Sequence, residues 1–170
     1  MIVIGGGPAG LFCAAEVAGS GHGVLLLEKM LSCGRKLLVT GSGQCNLTHD
    51  GEIRDFSGKY GDHGAFLRSS LRKFSNRDLV AWFTSRGLPL APDESGKIFP
   101  ESRRAADVLS VLLEECRKNG VVIRCREAVK EIRRSGTTFH VRTGTAEYES
   151  GALVIATGGS SYPATGSTGD

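Results

Sequence analysis

Apolar and polar positions along the 170 residues fall into short runs that can be assigned element by element. Ile2-Val3-Ile4 is an apolar run entering Gly5-Gly6-Gly7-Pro8-Ala9-Gly10. Leu11 to Ala18 has helical spacing, and Val24 to Leu27 is a second apolar run ending at Glu28. His49 to Gly64 is polar and glycine-rich and reads as a loop, after which His63 to Phe74 carries Phe66, Leu67, Leu71 and Phe74 at helical spacing. Ser75-Asn76-Arg77-Asp78 has the pattern of a capping box. The helix it opens buries Leu79, Val80, Trp82 and Phe83, stops at Gly87 and is followed by Pro89. Asp93 to Pro100 reads as a turn into a short strand. Ala105 to Asn119 predicts a helix with Val108, Leu109, Val111, Leu112, Leu113 and Cys116 on a broad buried face and Gly120 as its stop. Four strand-like runs follow, Val121–Cys125, Ala128–Arg133, Thr138–Thr143 and Ala146–Glu149. The last three form an antiparallel meander turned at Ser135-Gly136 and Gly144. Leu153 to Ala156 is a buried strand running into Thr157-Gly158-Gly159.

The first thirty residues organise the rest. Strand, glycine turn, helix, strand and terminal acid together make the opening βαβ unit of a dinucleotide-binding domain. Gly5 permits the tight turn off the strand, Gly7 lets the backbone approach a pyrophosphate, and Gly10 lets the helix pack closely on the strands. Pro8 sits where a helix has spare N–H groups, and the helix N-terminus offers those donors to a diphosphate. Glu28 can accept hydrogen bonds from both ribose hydroxyls of an adenosine and would repel a 2′-phosphate, which disfavours NADP in this site. The returning run Ala156-Thr157-Gly158 can lie beside the first strand and flank the same ligand, because ligands of open α/β sheets collect at the carboxyl ends of the strands.

Charge is nearly balanced, with 21 basic and 18 acidic side chains for a net +3. The densest basic group, Arg124, Arg126, Lys130, Arg133 and Arg134, alternates with acids on apparent strands. It reads as a solvated sheet face, and no nucleic-acid partner is expected. Five cysteines at 13, 33, 45, 116 and 125 form no CxxC pair, which argues for reduced thiols and against a disulfide framework or a zinc site. The N-terminus lacks a basic leader and no apolar run reaches membrane-spanning length, so a cytoplasmic location with no membrane partner is expected. The segment Lys29 to Leu38 is basic and reads as flexible. Thr40 to Thr48 is a glycine-rich turn, suited either to a hairpin or to a backbone surface that a flat ring can approach. His49 and His63 have no paired acid in view and are not assigned as proton donors. No residue is assigned as an acid or base catalyst or as a metal ligand.

Four separated stretches carry a more specific resemblance: IGGGPAG (4–10), GRKLLVTGSGQCNLT (34–48), GKIFPESRRAADVLSVLL (96–113) and ALVIATGGSSYPATGSTGD (152–170). In these the sequence resembles the FAD-dependent oxidoreductases of the HI0933-like flavoprotein group, also called the aminoacetone-oxidase-like or BaiN-type family. The family commonly reads Ser-Gly-Gly-Gly-Arg-Cys-Asn where this chain has Thr40 to Asn46, so Gln44 removes a cation there.

The resemblance implies an α/β, three-layer, Rossmann-like FAD/NAD(P)-binding domain with a parallel sheet and a small antiparallel β-meander as crossover. It implies FAD as cofactor, with Gly5, Gly7, Pro8, Ala9 and Gly10 on the pyrophosphate and Glu28 on the adenosine ribose. Lys29, Arg35 and Lys36 would lie along the pyrophosphate and ribityl chain, and Gly43, Cys45 and Asn46 by the isoalloxazine. Val129 would present its backbone to the adenine, and Ala156, Thr157 and Gly158 would pass the middle of the cofactor. Cys45 itself reads as a small buried residue in a tight loop. The implied activity is flavin-mediated hydride transfer on a small organic substrate, an amine or an enone-type carbonyl compound, with NAD(P)H or oxygen at the other end. The rival reading is a nucleotide-binding module without turnover of its own. Family chains are longer, so residues 1–170 are expected to be the N-terminal portion of an FAD-binding domain, with the substrate domain and returning segment outside it and an apolar sheet edge left exposed.

Overall fold

The structure is a computed structural model, and residues 1–169 are described; Asp170, the last residue of the 152–170 motif, lies outside the described residues. In chain order the elements are β1 (Ile2–Ile4), α1 (Pro8–Gly19), β2 (Leu25–Glu28), β3 (Thr48–His49), α2 (Ile53–Phe56), α3 (Gly64–Lys73), α4 (Asn76–Thr84), β4 (Leu90–Pro92), β5 (Lys97–Pro100), α5 (Ala105–Lys118), β6 (Val122–Cys125), β7 (Val129–Ser135), β8 (Thr138–Thr143), β9 (Glu147–Ser150) and β10 (Leu153–Ile155). They divide into two compact units, one built from Met1–Leu38 and the chain from Leu112 onward, the other from Val39–Val111.

The first unit holds a four-stranded parallel sheet in the order β10-β1-β2-β6. β1 sits inside it because all three of its residues are apolar and a parallel strand buried on both faces needs no polar alternation. Ile2 and Ile4, two residues apart and so on one face of the pleat, meet Leu27 and Val141 in a buried cluster, with Val129, Tyr148 and Leu153 packed against it. The antiparallel meander β7-β8-β9 thus covers one face of the sheet. α1 covers the other, burying Leu11, Ala14, Ala15 and Ala18. The end of α5 is fixed to α1 by side chains reaching its carbonyls: the Cys116 thiol donates to Leu11 O at 3.3 Å, and Asn119 Nδ2 donates to Ala15 O at 3.1 Å. These are the three layers the sequence predicts.

β10 is not the buried strand its apolar run predicts, and it matches the exposed apolar sheet edge expected above. Among the described residues it pairs only with β1, it stops at Ile155, and Ile155 is 66% exposed. An apolar run is identical for central and edge strands, and β10 is at the edge. The segment after Glu28 also differs. Instead of being flexible it is pinned by the Gly34 N–H donating to Gly6 O at 2.8 Å and by a short 3₁₀ turn at Leu37–Val39.

The second unit carries a small antiparallel sheet, β3-β5-β4, with Ile98 and Phe99 buried on β5. Trp82 and Phe83 of α4 are core, as predicted, with the Arg86 guanidinium 3.8 Å from the Trp82 ring centre. The stretch expected as loop contains α2 and a 3₁₀ run, Ser57–His63. The capping box is formed in full: the Asp78 N–H donates to Ser75 Oγ, and the Ser75 N–H donates to Asp78 Oδ2 at 2.8 Å. Ser75→Ala is therefore expected to cost about 1 kcal/mol and to lower the melting temperature by roughly 2–4 °C, read by thermal unfolding. Ser75→Asp, which keeps a capping acceptor, should lose less.

Candidate functional site

The glycine turn of the first unit is built by exclusion of side chains. A Cβ on Gly10 would collide with the Gly5 carbonyl oxygen, and one on Gly5, whose φ is +107°, would collide with the Ala156 carbonyl oxygen. Three backbones therefore touch where β1, α1 and β10 converge, and the Ala156 N–H donates to Ile4 O at 2.8 Å to hold β10 there. Gly6 has its own constraint, since a Cβ there would lie 2.5 Å from Cys33 Sγ and 2.9 Å from Glu28 Oε2. Gly7 is different. Nothing lies within 4 Å of its Cβ position, it is the N-cap of α1 with extended backbone, and no side chain caps that helix. The N-terminal donors of α1 and the open side of Gly7 form an unobstructed, positively polarised surface.

Glu28 closes this turn from below. It is 9% exposed; its Oε2 accepts the Gly6 N–H at 2.6 Å and its Oε1 accepts the Met30 N–H at 2.7 Å. Sequence reasoning assigned Glu28 to a ribose and gave Gly6 and Cys33 no part. The middle glycine of the Gly5–Gly7 run was the available signal. Each carboxylate oxygen keeps a second lone pair for a hydroxyl donor.

On the far side, Lys29 Nζ donates to Thr168 Oγ1 at 2.5 Å and Lys36 Nζ donates to Ser161 Oγ at 2.7 Å. A Cβ on Gly166 would lie 2.7 Å from Met30, so the C-terminal turn packs on the segment after β2. Arg35 is half-buried and pairs with no acid among the described residues. Thr157 continues from Ala156 at the turn, its Cα 3.1 Å from the Cβ position of Gly5, and Gly158 beyond it has φ +80°. Val129 opens β7 opposite Thr143 and packs against the sheet cluster. Of the sixteen predicted positions, the structure gathers Gly5, Gly7, Pro8, Ala9, Gly10, Glu28, Ala156 and Thr157 at one strand-end cluster and sets Lys29, Arg35, Lys36, Val129 and Gly158 elsewhere in the same unit.

Gly43, Cys45 and Asn46 belong to the second unit. Their loop is a tight turn with positive φ at Gly41, Ser42, Gly43 and Cys45, closed by the Cys45 N–H donating to Thr40 O at 2.9 Å. The Gly43 carbonyl accepts the first N–H of α5, from Ala105, at 2.8 Å. Two of those positive-φ residues carry side chains, a strained arrangement that sites tend to retain. Asn46 is exposed. Cys45 is buried, and burial pushes its thiol up to about 11, so it is neutral at physiological pH. His49 is a structural link: its Nε2 faces Ser95 O at 2.9 Å and its Nδ1 accepts the Gly51 N–H at 2.9 Å. Among the described residues no cluster of His, Cys, Asp or Glu could hold a metal ion, and no helix is long and apolar enough to cross a membrane.

Two outcomes are expected. Glu28→Ala orphans two backbone donors and should destabilise the protein by roughly 2–4 kcal/mol in urea unfolding, with Glu28→Gln losing less. The buried thiols set an alkaline limit. Burial pushes Cys33 up to about 12, with Cys125 and Glu28 adding to it, and pushes Cys45 and Cys116 up to about 11. Unfolded thiols titrate near 8.5. The folded state therefore holds these protons longer, and the stability it gains is intact below about pH 8.5 and lost as pH rises toward 11–12. Melting temperature measured from pH 7 to 11 should fall across the upper part of that range, and Cys45→Ala should flatten the fall.

The comparisons with known proteins agree with this geometry. The family description "HI0933-like protein Rossmann domain" matches residues 1–170. The ribosomal RNA dihydrouridine synthase of Haemophilus influenzae is 31% identical over 98% of this chain and 42% of its own length. The 3-dehydro-bile acid delta(4,6)-reductase of Clostridium scindens is 33% identical over 98% of this chain and 41% of its own. The chain thus spans about two fifths of the length of these relatives. Among solved structures, the 3-ketosteroid-delta4-(5alpha)-dehydrogenase of Rhodococcus jostii RHA1 superposes with a TM-score of 0.60 at 15% identity, covering 93% of this chain and 45% of that one. Thermovibrio ammonificans THI4 gives 0.58 at 15% identity, covering 92% and 56%. These two likenesses concern the fold. The chain belongs to the HI0933-like Rossmann-domain family.

Proposed function

We propose that this chain is the FAD-holding part of an oxidoreductase that reduces a carbon–carbon double bond conjugated to a carbonyl. The observation that carries the reading is the uncapped N-terminus of α1 beside an unobstructed Gly7, underpinned by Glu28. That arrangement suits a dinucleotide pyrophosphate, which needs close backbone approach, converging N–H donors and a nearby acceptor for ribose hydroxyls. Gly5, Gly7, Pro8, Ala9 and Gly10 would hold the pyrophosphate and Glu28 the ribose. Lys29, Arg35 and Lys36 would supply cations to the phosphates, and Ala156, Thr157 and Gly158 would wall the middle of the cofactor. Val129, Gly43, Cys45 and Asn46 keep the adenine and ring assignments that the resemblance implies. A bound flavin would supply a two-electron carrier between reduced nicotinamide and an electron-poor carbon. The neutral Cys45 thiol suits a packing role better than nucleophilic or redox work.

The bond type follows from what the relatives' names share. A delta(4,6)-reductase of a 3-dehydro bile acid and a dihydrouridine synthase both remove unsaturation conjugated to a carbonyl, one in a steroid and one in a uracil ring. An enone is therefore the first substrate class. Uridine in RNA is a second reading, favoured by the names of the Haemophilus influenzae and Escherichia coli relatives.

The test is anaerobic. FAD-loaded protein is mixed with NADH and then with a cyclic enone or a uridine-rich RNA. The reading predicts that the visible flavin band bleaches with NADH and returns with one acceptor, whose product has gained two hydrogens. Flavin that stays bound but is never reduced would support a binding module instead, and protein that retains no flavin would overturn the reading.

A further inference from the structure

Several exposed cations in this chain are tied to acids: Arg117 pairs with Glu114, Lys118 with Glu115, and Arg133 and Arg142 with Glu131. Residues 53–74 of the second unit carry a local excess of positive charge. They contain five basic side chains (Arg54, Lys59, Arg68, Arg72 and Lys73) against two acidic ones (Asp55 and Asp62), an excess equal to the whole chain's +3. Among the described residues, Lys59, Arg68, Arg72 and Lys73 make no ion pair. All four are exposed.

The same segment displays aromatic rings. Phe66 is 86% exposed, Tyr60 50% and Phe74 40%. The backbone beneath is compact, since a Cβ on Gly64 would strike the Ser57 carbonyl oxygen, so α3 starts directly on the preceding 3₁₀ run. Leu67 and Leu71 are the half-buried side of α3. Phe66 shares its face with Ser69, Ser70 and Lys73, at helical spacings of three, four and seven. A helix built to enter a lipid surface carries a continuous apolar stripe. This one carries a single ring among hydroxyls and cations, which is the equipment for stacking a base and neutralising its phosphates.

We propose that residues 53–74 form a docking surface for single-stranded RNA, with bases stacking on Phe66 and Tyr60 and phosphates held by Lys59, Arg68, Arg72 and Lys73. The surface rests on the uridine reading for its purpose, since it would recruit the polymer that carries the ring to be reduced. Its measurement needs neither flavin nor turnover, so the two can fail separately.

The test is fluorescence anisotropy of the full chain with a labelled single-stranded RNA in rising KCl. Four phosphate contacts predict a salt exponent near −3, or about a 50-fold loss of affinity between 50 and 200 mM. Phe66→Ala should weaken binding about tenfold through lost stacking. The double variant R68E/R72E should abolish it, while R117E/K118E, with the same change in net charge on paired positions of α5, should leave most of it. Far-UV circular dichroism confirms that each variant is folded. Equal losses in the two double variants would reduce the effect to net charge and overturn the surface. An unaltered affinity in Phe66→Ala overturns it too, as does binding to phosphatidylserine vesicles but not to RNA.

Discussion

Everything in the first unit depends on a steric constraint: three backbone segments meet at the end of β1 with no side chain between them. The carbonyl of Gly5 occupies the space a Cβ on Gly10 would need, and the carbonyl of Ala156 occupies that of Gly5. Protein interiors are packed too densely to yield there, and backbone cannot swing aside as a side chain can. Through this contact the helix, the central strand and the edge strand are held directly against one another. Glu28 then uses both carboxylate oxygens to hold the turn against the end of β2. One consequence is that the acidic residue at this position supports the turn in its own right, so under the proposed reading its loss would weaken structure and binding together.

The cradle this creates is electrostatically one-sided. Helix N-terminal donors face outward at Gly7, and the cations that follow β2 reach the C-terminal turn, Lys29 at Thr168 and Lys36 at Ser161. A polyanionic ligand would meet both the dipole and these charges, which reinforce each other at short range.

Much of this was legible in sequence because it is local. The βαβ unit, the capping box at Ser75 and the helix at 105–118 are each written within a few turns of chain, where spacing and capping chemistry are reliable. The return of the 153–155 run beside β1 was legible from its glycine-rich exit. Its exposure has no local signal, since an apolar run reads alike in central and edge strands; the exposed apolar edge was expected only from the resemblance to longer chains. The contact of Gly6 with Cys33, the pinning of Gly34 to Gly6 and the positive φ of Ser42 and Cys45 arise from partners brought together by folding, and no periodicity reports them. The short helical pieces between Ile53 and His63 are below the length at which an apolar repeat can be recognised. The charge excess of 53–74 has no periodic signature either, because its cations are spread over α2, a 3₁₀ run and α3.

The most direct test of the central claim is Gly7→Ala. At Gly7 the backbone is already one that alanine adopts, with φ −77° and ψ 178°, and no protein atom lies near the new methyl group. The substitution should leave circular dichroism and melting temperature unaltered while lowering FAD affinity, measured by calorimetric titration, by tenfold or more. An alanine variant that binds FAD as tightly as the parent would contradict the account, because the open side of Gly7 would then not be where the pyrophosphate lies.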